Sequence, residues 1–380
     1  MVSLIKNAQI LEKRRNGYEM CIHDIVCKDG VVVGEDISCT PQQTVDAKGY
    51  IVLPQLFNIH CHLGESRYRI EEGDWTITKY LDYTSKIIQE QTKEEADREW
   101  DQSADFTAEH MVVSGTIGFC AGRSAEIAKK YNLCTMAGYP LMSTRKLENY
   151  YRDGLAGYIR YYNDYASDTC SVGVLLHSLY MSDRSLLELA QKCMNFKAGF
   201  FAVHVSEDLE TRLREMKIFG EEPIFVLDKM GLLGEKTILV HCGCISDSEL
   251  QLAAKRNAVI AVCPVSNRFL NTEMVNILDL EKYGVRWCIS TDGYATGRSF
   301  SLFDQIIEFK RRWPQIADEK IWESVTVVPA GIFQRPAYKG RIEKGVMSSF
   351  IMVQKESGWR AEACLENLFQ GHLNWKAVRL

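Results

Sequence analysis

Residues 44–66 read TVDAKGYIVLPQLFNIHCHLGES: a turn at Asp46-Ala47-Lys48-Gly49, an apolar run of strand length at Ile51–Ile59, and two histidines spaced i, i+2 at its far end. On an extended chain that spacing turns His60 and His62 to the same side, so both imidazoles can face one cation. Taken alone, an H-x-H pair is more often two surface or core histidines. The remainder of the chain decides between the two possibilities.

Seven more apolar runs of strand length lie at 111–120, 133–141, 171–176, 199–203, 237–240, 258–263 and 285–290. Between several of them stand helical patterns. Thr92 with Glu95 and Ser246 with Glu249 have capping-box spacing, and residues 183–198 carry apolar positions at helical intervals. Eight strands alternating with helices predict an α/β fold, a (β/α)8 barrel. Five of the eight histidines (His60, His62, His177, His204 and His241) directly follow the first, fourth, fifth and sixth runs, and Asp292 follows the eighth. In a barrel the carboxyl ends of the strands converge on one mouth, so these residues become neighbours.

The two chain ends have a different texture. Residues 1 to about 50 read as short strands broken by turns, and KGRIEKGVMSSFIMVQKESGWRAEACL, 339–365, repeats the pattern. The expectation is a small composite β-sandwich made of 1–53 and 336–380, with the barrel, 54–335, between them. The stretch 63–110 is longer than a minimal connection and is expected to supply a lid or substrate-facing loop.

Composition narrows the partners. The formal charge of -5, from 45 Lys+Arg against 50 Asp+Glu, argues against nucleic acid or an anionic membrane and for a small-molecule substrate with water. No apolar run reaches membrane length, and the start, MVSLIKNAQILEKRRNG, turns polar too soon for a signal peptide, so a cytoplasmic protein is expected. Thirteen scattered cysteines read as reduced thiols, and Cys242-Gly243-Cys244 as strand packing.

His60, His62, His204 and Asp292 offer three nitrogens and one carboxylate, a shell suited to one divalent cation, Zn²⁺ first and Fe²⁺ second, with a position open for water. Glu207, three residues after His204, is placed to move protons; by itself it would read as a solvated loop acid. His241 can orient the water or steady developing charge, or be a fourth nitrogen ligand or a core histidine. His177 can bond a substrate heteroatom or only cap its strand. No lysine at the fourth strand offers a carbamate bridge for a second metal.

These motifs together resemble the amidohydrolase superfamily, in its cytosine deaminase-like and chlorohydrolase-like branch with a single metal. The resemblance runs along nearly the whole chain: the strand leading to H-x-H, then H-x-x-Y in LLHSLYMSD, then HVSE, LVHC, CPVSN and STDG in the family's order. It implies that His60, His62, His204 and Asp292 ligate the metal, that Glu207 is the proton shuttle, and that His241 and Asp292 assist catalysis. It also implies a homo-oligomer. The chain departs from the pattern at Pro54-Gln55, at 294–298 and at Ser348-Ser349.

The function this implies is hydrolytic deamination of a small aminated heterocycle, purine, pyrimidine or pterin-like. Dechlorination, or opening of a cyclic amide or imine, is the alternative on the same site. A non-catalytic metal scaffold or regulatory homologue is the alternative of another class, although it would lose Glu207 or Asp292 first and both are present. Candidate substrate contacts are Arg67, Tyr68, Arg69 and Trp75 after the first strand, His177 and Tyr180 after the fourth, Arg268 and Phe269 after the seventh, and Tyr294 and Arg298 after the eighth, because aromatics stack on flat rings and arginines pair with anionic groups.

Overall fold

The computed structural model describes residues 1–15, 17–35, 40–68, 70–142, 153–197 and 199–380. The N-terminal strands are β1 (Val2–Arg14), β2 (Gly17–Lys28), β3 (Val31–Gly34), β4 (Gln43–Asp46) and β5 (Tyr50–Pro54). The central strands are β6 (Leu56–Asn58), β7 (Cys61–His62), β8 (Thr116–Gly122), β9 (Cys134–Leu141), β10 (Cys170–Ser178), β11 (Phe201–Val205), β12 (Thr237–His241), β13 (Val259–Val262), β14 (Arg286–Ile289) and β15 (Asp292–Gly293). The last two, β16 (Ser349–Gln354) and β17 (Trp375–Arg379), return to the N-terminal sheet.

Eight of the central strands form one parallel sheet in chain order, β6-β8-β9-β10-β11-β12-β13-β14, the arrangement of a (β/α)8 barrel. Its strands are apolar on both faces, as buried parallel strands must be. Phe200, Ala202, Ile238, Val240, Val259 and Ala261 meet across the ring with Phe57 and Met136, while Phe201, Val203, Leu239, Ile260 and Val262 pack on the helices. The strand period of two therefore carries Phe200 and Ala202 on to His204 at the inner rim.

The ring is stitched where its first and last strands meet. There β7 pairs with β15 in parallel, Asp292 opposite Cys61 and Gly293 opposite His62. Just below, the Asn58 amide donates to Thr291 Oγ1 at 2.7 Å and its Oδ1 accepts the Thr291 N–H at 3.3 Å. Asp292 N–H donates to the His60 carbonyl. The seam thus coincides with three of the expected metal ligands.

Both capping boxes form, on helices Lys93–Val113 and Asp247–Lys255, and Asp183 caps helix Arg184–Phe196; position 198, where that helix was expected to end, lies outside the described residues. Two expected strands need correction. The run 111–120 is not all strand, because Met111–Val113 is the last turn of the long helix and β8 begins after Gly115, whose φ of 78° breaks the helix. The run Ile51–Ile59 is divided at Gln55, buried at the junction: its carbonyl accepts from Tyr338 Oη at 3.0 Å and its side chain from Ser349 Oγ at 2.6 Å, so β5 serves one sheet and β6 the other.

Strands from both chain ends build the second sheet, ordered β17-β16-β5-β1-β2-β3 with β4 on β1. One face buries Ile5, Ala8, Ile10, Val52, Phe350 and Met352; Leu11, Ile51, Leu53, Ile351 and Val353 join the large core shared with the barrel. The cysteines among the described residues are all free thiols, and no helix there is long and apolar enough to cross a membrane.

Candidate metal centre

At the mouth of the ring the ligand atoms converge. The Nε2 atoms of His60 and His204 are 3.2 Å apart and those of His62 and His204 3.3 Å, while Asp292 Oδ1 lies 3.3 Å from His60 Nε2 and 3.1 Å from His62 Nε2. A zinc–nitrogen bond of about 2.0–2.1 Å in a tetrahedron sets ligand-to-ligand edges of about 3.3–3.4 Å. The donor set therefore fits one small divalent cation.

At His60, His204 and Asp292, though not at His62, the protonation states agree with that fit, since ligating imidazoles must be neutral and the carboxylate ionised. Burial pulls His60 down to about 4 and His204 well below the usual histidine value. Burial would raise Asp292, but His60 and His62 hold its carboxyl well below the usual range. Burial also works to lower His62, yet the carboxylates of Glu65 and Asp292 outweigh it and raise that imidazole to about 9.

Further hydrogen bonds surround the candidate ligands. His204 Nδ1 donates to the His177 carbonyl, leaving Nε2 for a metal. Ser266 Oγ donates to Asp292 Oδ2 at 2.5 Å, and Thr296 reaches the same oxygen at 3.4 Å. Backbone strain marks the same place: Ser206, His241, Cys242 and Asp292 have φ of 46°, 68°, 56° and 62°, a region that side chains other than glycine enter at a cost.

Glu207 is buried beside the cluster, and burial raises its carboxyl above the usual range. Tyr180 Oη donates to its Oε1 at 2.9 Å, and His241 Nε2 stands 3.8 Å from its Oε2. The His241 ring stacks on His204 at 5.4 Å, and its Nδ1 is buried without a hydrogen-bond partner among the described residues. His241 also lies within reach of the point shared by His60, His204 and Asp292, so ligation and proton handling are both open to it.

A family model described as "Amidohydrolase family" matches residues 51–371. The chain belongs to the amidohydrolase family. A 5-methylthioadenosine/S-adenosylhomocysteine deaminase of Saccharophagus degradans is 25% identical over 372 residues, 90% of this chain and 81% of that one. Among solved structures, a zinc-bound adenosine deaminase from Xanthomonas campestris superposes with a TM-score of 0.82 at 17% identity, covering 97% of this chain and 88% of the other. A zinc complex of atrazine chlorohydrolase from Arthrobacter aurescens TC1 gives 0.82 at 16%, covering 98% and 91%. At such identities the two structures establish the amidohydrolase fold and no more.

Within this amidohydrolase mouth, His177 is half-buried, 6.5 Å from His62 and 5.1 Å from His204 ring to ring, and burial, with His62 and His60, lowers it to about 3. The remaining candidates sit farther out. Arg67 bonds the Ala96 carbonyl at 3.2 Å and Tyr68 Oη at 2.7 Å. Trp75 donates to the Glu71 carbonyl and joins an apolar cluster with Tyr68, Tyr80, Phe269 and Leu270, where the 63–110 segment covers loops after the seventh and eighth strands. Arg298 lies over the Phe269 ring at 4.4 Å, Arg268 pairs with Glu308, and Tyr294 packs on Phe106 and Phe300. Arg69 lies outside the described residues. Sequence reasoning assigned no role to Glu65, Tyr80, Ser266 or Thr296, although Glu65 lies in the stretch 44–66, Ser266 in CPVSN and Thr296 in 294–298; Tyr80 carried no signal.

Proposed function

We propose that this amidohydrolase holds one divalent cation, Zn²⁺ before Fe²⁺, on His60, His62, His204 and Asp292, and deaminates a small aminated heterocycle. The observation that carries the reading is a buried carboxylate of raised pKa, Glu207, bonded to Tyr180 and facing His241 beside a cluster fit for a cation. When bound, such a cation lowers the pKa of a water toward neutrality and supplies a hydroxide nucleophile near pH 7.

The side chains do the rest. Glu207 accepts a proton from the attacking water and delivers it to the ring nitrogen next to the amino-bearing carbon. It carries the second proton to the amino group, so that the C–N bond breaks as ammonia leaves and the carbon keeps a new C=O bond. Tyr180 holds Glu207 in place. His241 steadies the charge that develops at the carbon under attack, Asp292 assists proton transfer, and His177, kept neutral by burial, bonds a ring heteroatom. Arg67, Trp75 and Arg298 border the substrate beneath the 63–110 cover. We read 54–335 as the catalytic unit and 1–53 with 336–380 as the unit that buttresses it, in a cytoplasmic homo-oligomer without nucleic-acid or membrane partners.

The relative's name makes an adenosine derivative carrying a 5′ substituent the first substrate to try. Ammonia release is measured on a panel of aminopurines, aminopyrimidines, aminopterins and a chlorinated triazine. Ammonia from an aminated ring supports the proposal. Chloride release without ammonia moves the site to dechlorination, and no turnover by the metal-loaded protein overturns deamination.

A further inference from the structure

Glu65 falls three residues beyond His62 in a short 3-10 turn, Glu65–Arg67. Its Oε1 lies 3.3 Å from His62 Nδ1, on the side of the ring opposite the Nε2 that faces the ligand cluster. Its Oε2 accepts Tyr80 Oη at 2.7 Å, from helix Ile77–Glu90 of the cover. The carboxylate's place is prepared on two sides. Gly293, which pairs with His62 across the seam, leaves room for it, since a Cβ there would lie 2.0 Å from Glu65 Oε2. The turn itself is tied to helix Lys93–Val113: Ser66 N–H donates to Ser103 Oγ at 3.0 Å, and Ser103 Oγ donates to the Leu63 carbonyl at 2.8 Å.

A carboxylate on the far nitrogen of a ligating histidine fixes its tautomer and raises its basicity, and removing such a partner typically weakens metal binding by about 10–100-fold. Here the same carboxylate also receives a hydroxyl from the cover. We infer that Glu65 is a positioning residue: it holds His62 with Nε2 free for the cation and fastens the cover helix, through Tyr80, to the metal centre. This rests on the proposed metal site, and it reaches past that site to a residue that touches neither cation nor substrate.

The test is zinc affinity measured without substrate, by competition with a chromophoric chelator, on the full-length wild type, Glu65→Ala, Glu65→Gln and Gly293→Ala. Glu65→Ala is expected to lose about 10–100-fold in affinity. Glu65→Gln keeps an oxygen facing Nδ1 but not the charge, and should fall between Ala and wild type. Gly293→Ala, which crowds the carboxylate out, should weaken binding as well. Melting temperatures of the metal-free proteins separate a folding defect from a binding defect. If both Glu65 variants bind zinc within twofold of wild type, the inference is wrong, whatever their stability. If the wild type itself binds no zinc, the metal reading fails first. If binding depends on Glu65 but no ammonia is released, the deaminase reading alone falls.

Discussion

Replacing Glu207 by glutamine separates proton transfer from everything else that side chain does. The amide has nearly the same volume, and its oxygen can still accept from Tyr180 Oη, now 2.9 Å from Glu207 Oε1. The metal cluster should be undisturbed, because Glu207 stands outside the four converging ligand atoms, with His241 3.8 Å away. What is lost is a group that can both take and give a proton. At 3% exposure no bulk water can fill in for it. A positioned acid or base is worth roughly 10²–10⁴ in rate, which at about 1.4 kcal/mol per factor of ten is about 3–5 kcal/mol of barrier. Ammonia release should therefore drop by a factor on the order of a hundred or more, with zinc content by elemental analysis unchanged. Tyr180→Phe gives a graded companion. Burial already raises the Glu207 carboxyl and the Tyr180 bond holds it down, so without the hydroxyl the acid limb of kcat/KM should move to higher pH. A Glu207→Gln protein that keeps its zinc and stays within tenfold of wild type refutes the shuttle.

Three further outcomes are expected from the same geometry. Ser266→Ala removes the hydroxyl that holds Asp292 Oδ2 at 2.5 Å, and chelator competition should show zinc affinity down by about 10–100-fold; an unchanged affinity means the bond does not aim the ligand. Glu215, whose two oxygens accept the Ser206 N–H, is pushed by burial from 4.5 up to about 8, so the stability it lends is present below about 4.5 and drains as pH rises through about 8. The melting temperature of wild type should fall relative to Glu215→Gln between about pH 5 and about pH 8, and a constant difference contradicts this. Gly243→Ala places a Cβ 2.4 Å from the Glu273 carbonyl and 2.6 Å from that of Glu207, which should cost about 1–3 kcal/mol in denaturant unfolding and displace the Glu207 loop; unaltered stability and turnover argue that the loop yields freely.

Much of the site was legible because its chemistry rests on residue types that are scarce and regularly placed. Histidines following four apolar runs and an aspartate following the eighth put His60, His62, His204, His241 and Asp292 around one mouth, and the structure brings them there. The outer contacts were less legible. Arg67, Trp75 and Arg298 were picked by residue type and nearness to a strand end, and the structure gives each a partner in the cover or its neighbouring loops. An arginine or aromatic in a loop carries no local mark that separates a substrate contact from packing.

The amino-acid order alone determined the alternation of strand and helix, the capping boxes at Thr92 and Ser246, and the residue types of the candidate metal shell, since periodicity, caps and residue identity are local properties of a chain. Tertiary packing decided the rest. The division of the first run at Gln55 exists only once Tyr338 and Ser349 reach it, and the pairing of β7 with β15 and the Asn58–Thr291 bridge across 233 positions exist only once the first strand meets the last. So does the carboxylate behind His62, for which room is left by a glycine more than half the chain away. Such contacts are set by which surfaces pack together, and no local pattern encodes the partner.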